Sequence, residues 1–215
     1  MITRVRWKEA QAREAKAWRR IGEAEPSYLE RRGEFVAQWL RLLGVEPRRV
    51  LEIGGAGLPT ALEGIHAADP LMRQYARGRR SVAARAEELP YPRGAFDAVL
   101  ALNVIDHVQS PARSLEEMAR ILAPRGVLLF SCNVYSRAWL LLRSLRIAVL
   151  GERNNDILHP HHFTAASLSA LARHRFEILD ASLRLVDPLA GERPFRPSRS
   201  RLKGEARLYL AGRPC

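Results

Sequence analysis

Apolar and polar positions follow two periods along this chain, one helical and one extended. Residues 5–21 keep the helical period, and Trp7 and Trp18, eleven apart, return to one face. That face is expected to pack on the rest of the chain. Residues 27–43 repeat the pattern with Phe35, Val36, Trp39, Leu40 and Leu43 as the stripe. Ser27 after Pro26 reads as the N-cap and Gly44 as the stop. From residue 50 short apolar runs alternate with turns and helices. Strands are predicted at Val50–Ile53, up to Ala67-Ala68-Asp69, at Val82–Ala84, at Phe96–Leu102 and at Gly126–Phe130. Helices are predicted at Leu71–Arg77 and Ser110–Leu122, the latter with Leu115, Met118, Ala119 and Leu122 inward. An apolar, Arg-bearing helix follows at Trp139–Leu150. A helix at Ala165–Ala172 and strands near Phe176–Leu179 and Ala206–Leu210 complete the chain, with 187–204 as a Pro/Arg-rich loop. This alternation implies an α/β fold with a mostly parallel sheet covered on both faces. Its ligand should bind outside the C-terminal ends of the strands.

Length and composition narrow the class. The 215 residues suit one core, and 47% apolar with 27% charged residues is ordinary for a globular protein. The N-terminus lacks the apolar segment of a secretory signal, and no run is long enough to span a bilayer. A cytoplasmic location is expected. Cys132 and Cys215 make neither a disulfide framework nor a metal cluster. The net charge is +12, carried nearly all by Arg spread along the chain. That spread favours compositional bias over a dedicated polyanion site, with five basic residues between Arg193 and Lys203 as the exception.

The chemistry begins at the first strand. Gly54-Gly55-Ala56-Gly57 follows it, a turn that lets backbone approach a ligand closely. A dinucleotide site would have a third glycine where Pro59 stands, and Glu52 just before the turn would repel a pyrophosphate. A carboxylate there suits an ammonium and a sulfonium, which points to S-adenosylmethionine. Its other reading is a salt bridge at the strand end. Asp69, seventeen residues on, ends the second strand. It is suited to accept from ribose hydroxyls or, alternatively, to cap the helix that follows.

Four ordered segments resemble class I S-adenosylmethionine-dependent methyltransferases of the type 11, ubiquinone/menaquinone-methyltransferase-like group. They are Val50 to Gly57, then Glu87-Glu88-Leu89-Pro90 with Phe96-Asp97-Ala98-Val99, then Asn103 to Val108, then Leu115 to Gly126. The resemblance implies a Rossmann-like, seven-stranded, mostly parallel sheet with an N-terminal helical cap at 1–45. The methyltransferase domain would span 46–215, with 136–164 covering the substrate. It implies that Glu52 binds the amino group of the cofactor and that Gly54, Gly55 and Ala56 pass under it. Asp69 would hold the ribose, Pro70 would also belong to the cofactor site, Leu71 or Met72 would line the adenine, and Ala86 and Glu87 would lie at its edge. Asn103 and His107 would face the methionine end and the acceptor. Leu58 and Arg85 depart from the family pattern.

Methyl transfer needs mainly positioning, and a general base only for a protonated acceptor. His107 is the candidate base, with a backbone-bonded structural histidine as the alternative. His159, His161 and His162 have no companion Cys or carboxylate cluster, which Asp156 alone does not make good, and three His around a proline have poor geometry for one ion, so no metal is expected. One of them, His161, is a candidate acceptor contact, as is Tyr28, with Trp18 beside it. The Trp139–Leu150 helix has three readings: a cap on the acceptor, a helix lying on a membrane, or core packing. A small-molecule, lipid or glycan acceptor is expected. The competing class is a non-catalytic module binding nucleic acid through its basic surface. A nicotinamide-dependent oxidoreductase is argued against by Glu52 and Pro59.

Overall fold

The computed structural model describes residues 2–21, 26–54, 65–71, 80–151, 159–184 and 206–215. Two helices open it, α1 (Arg4–Ile21) and α2 (Pro26–Leu42). The strands are β1 (Val50–Ile53), β2 (Ile65–Ala68), β3 (Arg80–Val82) and β4 (Phe96–Leu102). Then come α3 (Pro111–Ile121), β5 (Leu122–Val134) and α4 (Arg137–Leu150). The last elements are α5 (Ala165–Arg173), β6 (Phe176–Arg184) and β7 (Ala206–Pro214). The predicted helix at Leu71–Arg77 and the loop at 187–204 fall mostly outside the described residues.

Seven strands form one sheet in the order β3-β2-β1-β4-β5-β7-β6. The first four pairings are parallel, and β7 runs antiparallel to both β5 and β6. The predicted seven-stranded, mostly parallel sheet is therefore the observed one. Alternation along each strand feeds two cores. Val99, Ala101, Leu128 and Phe130 face α3 and α5 through Leu115, Met118, Ile121 and Leu168. Ala98, Leu100, Val127 and Leu129 face α2 through Val36, Trp39 and Leu40. A sheet covered on both sides explains why β4 reads as an unbroken apolar run.

The second core is closed by aromatic contacts of Phe35 with Trp39 and with Tyr209, at ring-centroid separations of 5.5 and 5.3 Å. Trp39 donates its indole N–H to Asp180 of β6 at 2.9 Å, tying α2 to the far edge of the sheet. Ser27 is not the N-cap; the helix starts at Pro26, whose fixed φ suits the first helical position. Gly44, at φ 65, stops α2 as expected.

The family-like segments are also structural clamps. Asp97 accepts from the Arg48 and Arg49 backbone N–H groups and from the Arg49 side chain, which pins the start of β1 to β4. The Arg49 side chain, first among these bonds, holds the Asp97 carboxyl below its ordinary range. Arg120 of α3 donates to the carbonyls of Tyr91 and Leu89, and Glu117 accepts the Leu89 N–H.

Candidate cofactor and acceptor site

Because β1, β2, β4 and β5 are parallel, their C-terminal ends share one edge of the sheet. Gly54, Asp69, Asn103 and Tyr135 stand there, each just beyond its strand. Gly54 donates its N–H to the Ala68 carbonyl at 3.1 Å, Asp69 to that of Val82 at 3.2 Å and Asn103 to that of Ser131 at 2.8 Å, so these three turns are bonded to neighbouring strands. Gly54 has φ 85, and a Cβ there would meet a Val104 methyl at 2.4 Å. Only glycine fits a left-handed turn this close to a neighbouring loop. Asn103 is also left-handed, at φ 62, a conformation Asn tolerates better than most residues. Its side-chain Oδ1 is buried with no hydrogen-bond partner among the described residues.

Glu52 is fully buried and its carboxylate accepts from the Arg32 guanidinium of α2 at 2.7 Å, with Arg32 only 4% exposed. The strand-end salt bridge is therefore made. The sequence reading did not single out Arg32, although a signal was present. Arg32 precedes Val36 by four and Leu40 by eight, so a charge occupies the buried stripe of α2. Its Nε is buried without a hydrogen-bond partner among the described residues.

Asp69 accepts the Leu71 N–H through Oδ1 at 2.6 Å, the local capping bond foreseen as its alternative. Its other oxygen has no hydrogen bond among the described residues. Burial, first of all, pushes its pKa up to about 6; the Leu71 bond opposes this, and nearby Glu14 and Glu52 add to it. Pro70 is exposed and Leu71 half-buried beside it.

α1 crosses this edge. Trp7 donates its indole N–H to the His107 carbonyl at 3.1 Å, and the Arg85 guanidinium lies 5.0 Å over the Trp7 ring. Glu14, one helical repeat on, brings Oε2 to 3.6 Å from His107 Nδ1. The Trp7 face does pack on the domain as expected, and Glu14 is the residue on that face that sequence reasoning missed. His107 Nε2 lies 3.8 Å from Asp106, and its ring meets that of His159 at 4.6 Å.

Asp106, His107 and His159 hold their ligand-type atoms within 4.8 Å of one another. The carboxylate beside His159 comes from Asp106, which the sequence reading did not set with the His-rich turn. The turn itself splits. His161 is tied back, donating its backbone N–H to the Asp106 backbone carbonyl and its Nε2–H to the Val108 carbonyl at 2.9 Å. Burial lowers its pKa. His162 instead packs on Tyr135 and Trp139 at the root of α4. Both ring nitrogens of His107 face carboxylates, whereas the Nε2 of His161 is spent on backbone.

The Glu87 carboxylate is likewise committed. It accepts from the backbone N–H groups of Gln109 and Ser110 at 2.6 and 3.0 Å and so caps α3, where the Ser110 side chain makes no capping bond. Arg85 sits 3.5 Å from its second oxygen. Ala86 is buried between them. Gly55 and Ala56 lie outside the described residues, as do Met72 and the side chains of Trp18 and Tyr28. α4 contributes no buried residue, so the core-packing reading of that helix is wrong.

Residues 59–130 match the family described as a methyltransferase domain. A malonyl-[acyl-carrier protein] O-methyltransferase of Halorhodospira halophila is 33% identical over 105 residues, covering 40% of this chain and 35% of that protein. An uncharacterized methyltransferase of Mycolicibacterium gilvum is 38% identical over 71 residues, covering 33% of this chain and 27% of its own length. The chain thus spans about a third of these curated relatives. At the level of fold, the N-methyltransferase NodS of Bradyrhizobium japonicum, solved with S-adenosylhomocysteine, superposes with a TM-score of 0.52 at 15% identity, covering 84% of this chain and 86% of that one. The sequence match is therefore to a methyltransferase domain over residues 59–130, which hold three of the four motif segments, and the likeness to the solved structures is one of fold.

Proposed function

We propose that this chain transfers the methyl group of S-adenosylmethionine to a small-molecule, lipid or glycan acceptor. The observation that carries the reading is Asp69. It is a half-buried carboxylate at the end of β2 with one oxygen on the Leu71 N–H, and its second oxygen is the one we assign to a ligand diol. Around it the residues fit the cofactor. The orphaned Asn103 Oδ1 suits an ammonium donor, and the Arg32–Glu52 pair offers a cation and an anion to the methionine zwitterion. Bound S-adenosylmethionine supplies a methyl group on a sulfonium, already activated for displacement. The protein's share is to orient that group, exclude water and receive the acceptor's proton. Trp7 and α1 cover the site, and His107, held between Glu14 and Asp106, is the residue we assign to the proton. Two free cysteines, one buried and one exposed, agree with a cytoplasmic setting.

Calorimetric titration with S-adenosylmethionine and S-adenosylhomocysteine tests this. Glu52→Ala and Asp69→Ala should each weaken binding by about tenfold or more, since a hydrogen bond to a charged group contributes ~1.5–3 kcal/mol. A folded wild-type protein that binds neither ligand would overturn the proposal. The basic surface would then favour a non-catalytic nucleic-acid module, recognised by steeply salt-dependent binding.

Asp69 also sets a pH dependence. A pKa near 6 means that the carboxylate needed for the ribose is lost as pH falls. Cofactor affinity should be flat above pH 6 and fall about tenfold per unit below it. Stability without ligand runs the other way. The folded pKa lies above the ordinary 3.8, so this group's contribution is fully present below that value and is lost as pH rises through about 6. Titrations from pH 5 to 8 on wild type and Asp69→Asn check both, because the variant should lose both slopes.

A further inference from the structure

Along α4 the large apolar side chains point away from the protein. Leu141 is 67% exposed, Leu142 51%, Leu145 62% and Val149 79%. At 3.6 residues per turn these four, with Ala138 and Ala148, fill one continuous sector about 120° wide. The opposite side, Trp139, Leu140, Arg143 and Ile147, is the less exposed one that meets the domain. Arg143 folds over the Trp139 ring at 5.9 Å. The remaining arginines fall on the borders of the apolar sector, Arg137 on one side and Arg146 on the other, and both are exposed. Residues 137–150 contain no acidic side chain. Scattered exposed apolar residues need no explanation, but a contiguous outward stripe does.

We propose that α4 docks the protein on an anionic membrane surface. A helix lying in the interface puts its apolar sector among the acyl chains and its bordering cations at the level of the headgroups, and this arrangement is the one α4 presents. The net charge of +12 adds long-range attraction to a negative leaflet. A second copy of the chain is the poorer occupant. An α4–α4 contact would bring Arg137 and Arg146 of two strongly cationic molecules together. The docked orientation also has a direction. Two residues separate the end of β5 from the start of α4, on the edge of the sheet that carries Gly54, Asp69 and Asn103, so the helix starts beside the site. Docking does not depend on the proposed methyl transfer and is tested without cofactor.

The experiment is co-sedimentation of the full chain with phosphatidylcholine vesicles, with and without phosphatidylglycerol. Wild type should bind the anionic vesicles at least about tenfold better than the neutral ones, and added salt should weaken this. Leu145→Glu with Val149→Glu changes only exposed positions and should reduce anionic binding by more than about tenfold with an unchanged melting temperature. Arg137→Gln with Arg146→Gln should remove most of the preference for phosphatidylglycerol. Absence of vesicle binding would overturn the proposal. So would binding that survives the glutamates, which would locate the membrane contact elsewhere. Sedimentation equilibrium showing a dimer that the glutamates dissolve would assign the face to a second copy instead.

Discussion

Gly54→Ala is expected to melt about 10 °C below the wild type and to lose measurable cofactor binding. Two effects add. A side chain in the left-handed region costs roughly 1–2 kcal/mol. The new Cβ also lands 2.4 Å from the Val104 methyl, and overpacking of this kind costs about 1–3 kcal/mol. Together they remove about 2–5 kcal/mol, and a domain of this size loses ~2–4 °C per kcal/mol. Because the strain sits in the turn after β1, relief by displacement moves the backbone away from the ligand. Trimming the neighbour separates the two effects. Val104→Ala in the Gly54→Ala background should return the overpacking share, a positive coupling in a double-mutant cycle, and leave the backbone share lost. Strict additivity of the two substitutions would show that the turn relaxes without touching Val104.

Arg32→Met is expected to be as damaging to stability as any single change in the chain. It deprives a fully buried carboxylate of the guanidinium 2.7 Å away. Removing one partner of a buried ion pair typically costs about 3–5 kcal/mol, mostly the penalty of the charge left behind. Adding Glu52→Gln removes that charge and should recover most of the stability. It should not recover binding of S-adenosylmethionine, because the zwitterion loses both of its charged contacts. Urea denaturation gives the first result and calorimetry the second. Recovery of both would mean that the pair only holds α2 against β1. Recovery of neither would mean that Arg32 acts through packing of its stem.

Elements whose signal is local were legible in the sequence. β1 and β4 are apolar runs bounded by arginines, glycines or an Asn, and both fall where the pattern puts them. Strands that owe their length to partners were underestimated. β5 extends from Leu122 because Leu122 pairs with Phe96, and on to Val134 because Val134 pairs with Ala206. β6 continues to Arg184 along β7, past the point where its apolar pattern stops. β3 lies two residues earlier than predicted, since its register is set by His66–Arg80 pairing and not by the Val82-Ala83-Ala84 run. The site divides in the same way. Asp69, Asn103 and His107 follow directly from strand ends. The partners of Glu52 and His107 come from α2 and α1, at sequence distances no motif spans, and were visible only as charges on otherwise buried helical stripes. Glu87 shows the converse. Its motif position suggested a ligand, yet two backbone N–H groups at the start of α3 already hold its carboxylate.

The place of β7 between β5 and β6 has a consequence for how the chain is made. Synthesis delivers β6 before β7, yet among the described residues β6 joins the sheet only through β7. Until residues 206–214 have emerged, β5 carries an open edge and β6 is a strand without a sheet. Open edges of apolar strands invite pairing with other chains. The nascent protein therefore passes through an obligatory interval with two unpaired strand edges, ended by insertion of one strand between them. Slow translation across 185–205 would lengthen that interval, and a chaperone that shields strand edges would matter most there.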